Sequence, residues 1–197
     1  MRTLIIGATG NIGKVAAATL EGRGHEVIRA SRSSERRVDI TDPDSVGALF
    51  DEVGDIDSVV VASGSVPFKP VTELTRQDYL AGLTSKTLGQ IEVARVALQR
   101  VHDGGSITLT TGVLTREPIA TGAAAATANG ALEAFVLTAA AEAPRSIRIN
   151  AVSPNVLANS PHYHSTFVGQ RPVTDEEVGN AYVLAVEGIS NGRVIAV

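Results

Sequence analysis

The sequence predicts an α/β fold, a doubly wound parallel sheet of about seven strands with helices on both faces. Two observations lead to this prediction. Short runs rich in β-branched residues alternate with helical patterns along the chain, which is typical of βαβ units. The 197 residues are 44% hydrophobic and 19% charged, enough to bury a full core. Because no linker, repeat or low-complexity segment divides the chain, we expect a single domain over residues 1–197.

The predicted strands follow one another at the spacing that βαβ units need. They are Thr3–Ile6, Glu26–Ala30, Arg37–Ile40, Asp57–Ala62, Ser106–Thr110, Ser146–Val152 and Arg193–Val197. The second connection is unusual, because only six residues separate Ala30 from Arg37. Since a helical crossover takes a dozen residues or more, we expect a loop there.

Helix boundaries are marked by capping residues. Asp42 precedes Pro43, the order expected for an N-cap followed by the first helical residue. Thr174 and Glu177 form a capping box before a helical run, and Gly188 follows that run where a helix ends.

Composition excludes several classes of function. The chain has no cysteine, which rules out disulfides and thiolate chemistry. A net charge of -4 without a dense basic block argues against nucleic acid or an acidic membrane as partner. No apolar run reaches the length of a membrane span, and the N-terminus lacks the features of a signal peptide, so we expect a cytoplasmic protein. His162 and His164 lack a third ligand, so no metal site is predicted.

A glycine-rich turn, G-A-T-G-N-I-G from Gly7 to Gly13, lies between the first predicted strand and the first helix. Glycines in this position allow a tight turn and bring backbone N–H groups and a helix N-terminus against a phosphate. This context predicts a Rossmann-type dinucleotide site. A turn that merely packs helix on strand is the alternative.

The end of the second strand favours NADP(H) over NAD(H). An NAD site places an acidic residue there, whereas this chain has Ser31, Arg32 and Ser33, with no acid before Glu35. A guanidinium flanked by hydroxyls suits a 2′-phosphate through charge-assisted hydrogen bonds. A solvated basic loop is the alternative.

With these features the chain resembles the short-chain dehydrogenase/reductase family over nearly its full length. The glycine motif, the segment V-D-I-T-D, the strand S-V-V-V-A-S-G and the strand I-R-I-N-A-V-S-P match family motifs. The resemblance implies that Asp39 contacts the adenine, and it predicts the following cofactor contacts: Gly7, Thr9, Gly10, Asn11, Ile12, Gly13, Ser31, Arg32, Ser33, Asp39, Ile40, Gly64, Pro154 and Val156.

The catalytic residues that the resemblance would imply are missing. The family uses a Ser at the end of the fifth strand and a Tyr-x-x-x-Lys pair on the following helix; the Tyr is the general acid/base, and the Lys lowers its pKa and holds the nicotinamide ribose. Alignment puts Gly112 at the Ser, Ala125 at the Tyr and Asn129 at the Lys. A family Asn on the fourth helix is replaced by Lys86.

Three residues remain as candidates for catalysis. Lys86 carries an amine whose pKa burial could lower toward neutrality. Thr111, with its neighbour Thr110, can hydrogen-bond a carbonyl oxygen. Tyr163 lies in the segment Asn159–Phe167, which resembles the family's substrate lid and also contains two histidines. A surface lysine and an exposed loop are the alternatives.

The segment Ala124–Phe135 is unusually rich in alanine, and its small residues leave two interpretations open. They either empty a pocket above the nicotinamide or permit close helix packing.

Two functional hypotheses follow: an NADP(H)-dependent oxidoreductase for a small carbonyl or alcohol, and a non-redox isomerase, cyclase or NADP(H)-sensing protein on the same scaffold. Apolar stripes on the helices Lys86–Arg100 and Asn129–Ala141 predict a homo-oligomer, and a dimer is the expected form because these two helices make the commonest subunit contact of the resembled family. Stripes that face only the chain's own sheet are the alternative.

Overall fold

The computed structural model describes all residues from Met1 to Val197. Its seven strands form one parallel sheet in the order β3-β2-β1-β4-β5-β6-β7. The strands are β1 (Arg2–Ile6), β2 (Glu26–Ser31), β3 (Arg36–Arg37), β4 (Ile56–Val61), β5 (Val101–Thr110), β6 (Arg148–Ser153) and β7 (Val194–Ala196). The predicted fold class is therefore confirmed.

Helices cover both faces of the sheet. They are α1 (Asn11–Gly22), α2 (Pro43–Val53), α3 (Arg76–Gly82), α4 (Gly89–Arg100), α5 (Ala123–Glu142), α6 (Pro161–His164) and α7 (Asp175–Glu187), and a 3₁₀ turn spans Val113–Thr115. Successive residues of a strand point to opposite faces. Leu4 and Ile6 thus join the larger core under α2, α4 and α5, whereas Ile5 joins the core under α1 and α7.

The third strand is shorter than predicted and lies earlier. It spans only Arg36–Arg37, whereas Arg37–Ile40 was expected. After Val38 the backbone is satisfied by side chains instead of a neighbouring strand: Asp39 N–H donates to Ser45 Oγ, and Thr41 N–H donates to Asp39 Oδ1. The connection from β2 to β3 contains no helix, as predicted.

The helix expected over Lys86–Arg100 begins differently. A π-helical segment, Leu83–Leu88, joins α3 to α4, so that Lys86 lies in its wider turn. π-Helical turns are often found at functional sites. The segment packs closely against the end of β4, since a Cβ on Gly64 would lie 2.7 Å from Lys86 Cα.

The predicted helix boundaries at α2 and α7 are present. Asp42 accepts a hydrogen bond from Asp44 N–H, and Thr174 with Glu177 forms the reciprocal capping box. Gly188 ends α7 in an extended conformation, and a Cβ there would lie 2.4 Å from Leu184 O.

Helix α5 is long and apolar enough to cross a membrane, judged by length and composition alone. In the fold, its residues Leu132 and Val136 are fully buried in the larger core. Packing on the sheet therefore accounts for part of the apolar character of α5, whereas Leu137 on the same helix is 59% exposed.

Candidate functional site

A cleft of about 310 Å³ opens at the carboxyl ends of β1, β2 and β4. Many of the residues predicted to contact a cofactor line it, namely Gly7, Thr9, Gly10, Ser31, Arg32, Ser33, Asp39, Ile40 and Gly64. It is also lined by Val38, Thr41, Ala62, Ser63, Ser65 and Ser85. Ligands of open parallel sheets bind at this edge, where the strand order reverses beside β1.

The glycine turn brings the backbone very close to itself. A Cβ on Gly7, whose φ is +87°, would lie 2.3 Å from Ala62 O, and a Cβ on Gly13 would lie 2.1 Å from Gly7 O. Gly10 is the N-cap of α1 and supplies no side-chain cap, and the first turn holds no acidic residue. The N–H groups at the start of α1 are thus left for a ligand, and they suit an anion.

The loop after β2 presents Arg32 at the rim of the cleft. Ser31 is buried, and its Oγ accepts hydrogen bonds from Ser33 N–H and Ser34 N–H at 3.1 and 3.0 Å. Ser31 therefore organises the loop, while Arg32 and Ser33 remain exposed. Hydrogen bonds from the Thr41 N–H and hydroxyl lower the pKa of Asp39, and the Arg32 charge adds to this.

The other predicted cofactor residues do not line this cleft. Asn11 Nδ2 donates to Ser160 Oγ at 3.1 Å, which connects the start of α1 to the segment before α6. Ile12 and Gly13 lie in the first turn of α1. Pro154 and Val156 follow β6 and are buried.

The side chain of Lys86 extends from the π-helical segment to the end of β5, beyond the cleft. Its Nζ donates a hydrogen bond to Thr111 O at 3.1 Å. Burial lowers the pKa of Lys86 to about 8, and the negative charge of Glu133 opposes this shift. The residue as a whole keeps partial exposure although its ammonium is desolvated. An amine with this pKa can give or take a proton near neutrality.

Glu133 is a residue of the site that the sequence analysis missed. One of its oxygens, Oε1, accepts hydrogen bonds from Thr111 Oγ1 at 3.0 Å and Thr115 Oγ1 at 3.2 Å, and Arg116 pairs with the carboxylate at 3.1 Å. Thr111 thus contacts Lys86 through its carbonyl and Glu133 through its hydroxyl. The spacing of four residues from Asn129 places Glu133 on the same helix face, a signal that was available.

Asn129 and Gly112 are in direct contact. Asn129 Nδ2 donates to Gly112 O at 3.4 Å, and a Cβ on Gly112 would lie 3.2 Å from the same nitrogen. Asn129 is 2% exposed, and its Oδ1 is buried without a hydrogen-bond partner. The carboxamide therefore fills space beside Gly112 that a side chain would need.

The position aligned with the family tyrosine is not an open pocket. Ala125 is buried in a small apolar cluster with Val113 and Leu114. Other apolar side chains pack against this cluster: Val66, Ile119, Ala126 and Phe167. Of the two interpretations of the alanine-rich segment, close packing is the one observed around Ala125.

Tyr182 does not replace the missing tyrosine. It is fully buried on α7, in the core on the other face of the sheet, and its hydroxyl is 2.7 Å from Thr110 Oγ1. Burial raises the pKa of the Tyr182 phenol, so it stays protonated near neutral pH. Gln90 supports the same strand end, since its Oε1 accepts from Thr110 N–H and its Nε2 donates to Ser63 O.

The segment aligned with the substrate lid is mostly exposed. Tyr163, in α6, is 53% exposed and its ring lies 4.1 Å from that of His162. His164 Nε2 lies 2.9 Å from Leu157 O. The structure gives no hydrogen bond between Tyr163 and the Lys86 network, and it holds no group of three potential metal ligands.

Comparison with known proteins agrees with these motifs. The family model described as enoyl-(acyl carrier protein) reductase matches residues 7–187. The hydroxynaphthalene reductase-like protein Arp2 of Metarhizium acridum is 30% identical, with 98% of this chain and 85% of that protein covered. An uncharacterized oxidoreductase of Mycobacterium tuberculosis is also 30% identical over 80% of this chain and 67% of its own length.

Solved structures extend the comparison to the whole chain. The protein lin1944 from Listeria innocua is 43% identical, with a TM-score of 0.97 over 100% of this chain and 99% of its own. A small-chain dehydrogenase solved in complex with NADPH is 28% identical, with a TM-score of 0.87 over 100% of this chain and 96% of its own.

Proposed function

The chain belongs to the short-chain dehydrogenase/reductase family, and we propose that it is an NADP(H)-dependent oxidoreductase that interconverts a small carbonyl compound and its alcohol. One observation carries the proposal. Arg32, the uncapped start of α1 and Lys86 lie along one edge of a single sheet, at the ends of β2, β1 and β5. The similarity to a dehydrogenase that binds NADPH supports the choice of cofactor.

The residues present fit this dinucleotide. The close approach of the backbone at Gly7 and Gly13 makes this turn tight, and a pyrophosphate would lie against the free N–H groups at the start of α1. Arg32 would pair with the 2′-phosphate, and Asp39 would accept a hydrogen bond from the adenine. The edge from β2 to β5 spans three strand spacings, about 14 Å. A dinucleotide with its 2′-phosphate at Arg32 would extend along this edge, so its nicotinamide would lie at the Lys86 end.

Lys86 would handle the proton of the reaction. When bound, NADPH supplies the hydride for the carbonyl carbon. The Lys86 ammonium would donate its proton to the carbonyl oxygen as the C–H bond forms, and in the alcohol-oxidising direction the neutral amine would take that proton back. Thr111 would position Lys86 through its backbone carbonyl. Its hydroxyl donates to Glu133 and is therefore not free to bind the substrate carbonyl.

The substrate would be small. Val113, Leu114 and Ala125 occupy the region aligned with the family tyrosine, and Phe167 packs against them. This arrangement leaves an apolar wall beside the Lys86 network. It does not favour an isomerase or cyclase that needs an emptied pocket.

We further propose a cytoplasmic homo-oligomer, with a dimer as the simplest form. Most of the predicted stripes face the chain's own sheet, since Ala94, Ala97, Leu132 and Val136 are buried in its core. Leu88 at the end of the π-helical segment remains 57% exposed. Sedimentation should give twice the mass of the 20.4 kDa chain at micromolar concentration, and a monomer would rule the dimer out.

Two measurements test the proposed function. Calorimetric titration should give tighter binding of NADPH than of NADH, and equal affinities would contradict the assignment. A panel of small aldehydes and ketones incubated with NADPH deuterated at C4 should then yield a deuterated alcohol. Turnover of a ligand without consumption of the cofactor would instead support the non-redox hypothesis.

A further inference from the structure

Two side chains from different helices donate hydrogen bonds to consecutive backbone carbonyls just after β5. Lys86, in the π-helical segment, donates to Thr111 O at 3.1 Å, and Asn129, in α5, donates to Gly112 O at 3.4 Å. The two carbonyls belong to consecutive residues. In the alignment, Lys86 stands where the family has an amide, and Asn129 stands where it has an ammonium.

The surrounding backbone is shaped for both side chains. Gly64 is needed beneath Lys86, because a Cβ there would lie 2.9 Å from Lys86 Cβ and closer still to Lys86 Cα. Gly112 lacks the side chain that would press on the Asn129 amide at 3.2 Å. The two glycines and the π-helical turn thus allow a long cationic side chain on one helix and a short amide on the other.

Each side chain has hydrogen-bonding capacity left. The Lys86 ammonium has three N–H donors, and one of them is used at Thr111 O. Asn129 Oδ1 is a buried acceptor without a partner, which is a costly state for a carboxamide. A second ammonium at position 129 would repel Lys86 and would be buried beside Gly112, where Asn129 is 2% exposed.

We propose that Lys86 and Asn129 are an exchanged pair, in which the π-helical segment supplies the cation for the nicotinamide ribose and α5 supplies the amide that positions it. The inference rests on the proposed NADP(H) function. Lys86 then contacts the ribose hydroxyls. Asn129 holds the Gly112 carbonyl and so fixes the backbone next to the Thr111 carbonyl that Lys86 binds. The amide of Asn129 is held at Gly112 O, so the group that reaches the ribose is the long side chain of Lys86.

The test is a double-variant cycle on the full chain. Lys86→Asn, Asn129→Lys and the double variant are titrated with NADPH and, separately, with adenosine 2′,5′-bisphosphate, which reports only on the adenosine half. The double variant restores one amide and one ammonium and keeps the net charge. Asn180→Lys, at an exposed position of α7, is the control for an added charge. Melting temperature is recorded for every variant without ligand.

Each single variant should weaken NADPH binding about tenfold or more, and the double should recover to within about threefold of wild type. Binding of adenosine 2′,5′-bisphosphate should change less than about twofold throughout, because Arg32 and the α1 turn are untouched. If the loss of NADPH affinity in the double variant equals the product of the two single-variant losses, the exchange is overturned.

The outcomes separate this inference from the proposed function. If wild type binds no dinucleotide, the proposed function fails and the ribose contact fails with it. The melting temperatures still decide whether positions 86 and 129 exchange roles in the fold: a double variant more stable than both singles supports the exchange, and additive losses overturn it. Lys86→Gln with Asn129→Arg repeats the cycle if the first double variant does not fold. If the single variants of both cycles fold but neither double variant does, the exchange is also overturned.

Discussion

At the β1 and β2 end of the sheet edge, the cleft is lined by the glycines of the α1 turn and by serine and threonine hydroxyls, together with Arg32 and Asp39. At the β5 end, beyond the cleft, the site consists of side chains from separate elements, with Lys86 in the π-helical segment and Glu133 and Asn129 on α5. The first region keeps the family's glycine motif, whereas in the second the alignment places Gly112, Ala125 and Asn129 at the family's catalytic positions.

The difference shows which parts of such a site can change separately. The glycine turn is constrained by its own backbone, because any Cβ at Gly7 or Gly13 would collide with a carbonyl group. The β5 end requires only that a cation and its partners arrive at the same carbonyls, and several helices can supply them. The two halves are thus held by different constraints, backbone sterics at the α1 turn and side-chain placement at the end of β5.

The strongest way to break the comparison is to remove the cation at β5. Lys86→Met should lower turnover at saturating NADPH by roughly 10²–10⁴-fold, the usual cost of removing a general acid. Lys69→Met, an exposed lysine paired with Asp78, is the matched control and should stay near wild type. Stopped-flow measurement of NADPH oxidation gives the rates. Full turnover by the Lys86→Met variant would remove the chemistry from this residue.

The glycine half can be tested by separating backbone conformation from crowding. Gly7 and Gly24 have nearly the same φ, +87° and +86°, but a Cβ would clash only at Gly7. Gly24→Ala should cost about 1–2 kcal/mol of unfolding free energy, and Gly7→Ala about 3 kcal/mol or more. Urea denaturation measures both. Equal losses would mean that the close approach to Ala62 contributes nothing.

The charged contact of the cofactor half should be separable from its backbone. Arg32→Ala should weaken NADPH binding by about 1.5–3 kcal/mol, roughly ten- to a hundredfold, and leave NADH almost unchanged. Arg29→Ala removes an arginine that is paired with Glu21 and lies outside the cleft, and it should alter neither affinity. Calorimetry with the two cofactors decides the matter, and an unchanged NADPH preference would reassign the 2′-phosphate site.

The pH dependence of reduction should report on the β5 end. Lys86 must be protonated to act as the acid, so the rate should be level below its pKa of about 8 and fall as the pH rises above it. Glu133→Gln removes the charge that favours the ammonium, so the fall should move to lower pH. Glu92→Gln, which disrupts an ion pair on α4 with Arg95, should leave the profile in place. A shift to higher pH in the Glu133 variant would contradict this assignment.

The smallest effect is expected in the lid. Tyr163 is more than half exposed and its ring contacts only that of His162 among the aromatic rings, so Tyr163→Phe should change turnover by less than about twofold. Should this variant lose turnover while Lys86→Met keeps it, the proton would come from the lid, and the β5 end would serve only in binding.

Much of the cofactor half could be predicted because its determinants are local. The turn Gly7–Gly13 is recognisable from spacing, and the caps at Asp42 and Thr174 are single residues before a helical run. The strand β3 was misplaced because Val38 and Ile40 carry a strand-like alternation. Both are buried by packing beneath α2 and α4. Val38 N–H still donates to Ser31 O at the end of β2, but the ladder of paired residues ends at Arg37.

The amino-acid sequence by itself determined the fold class, the glycine turn and the alignment of Gly112, Ala125 and Asn129 with the family's catalytic positions, since periodicity, sterics and residue identity are properties of the chain. Only the tertiary structure decided that Lys86 reaches Thr111 from a π-helical turn, that Glu133 joins them and that the space at Ala125 is filled. These contacts join residues far apart in the sequence, so they depend on how helices pack across the sheet, and no local pattern specifies that packing.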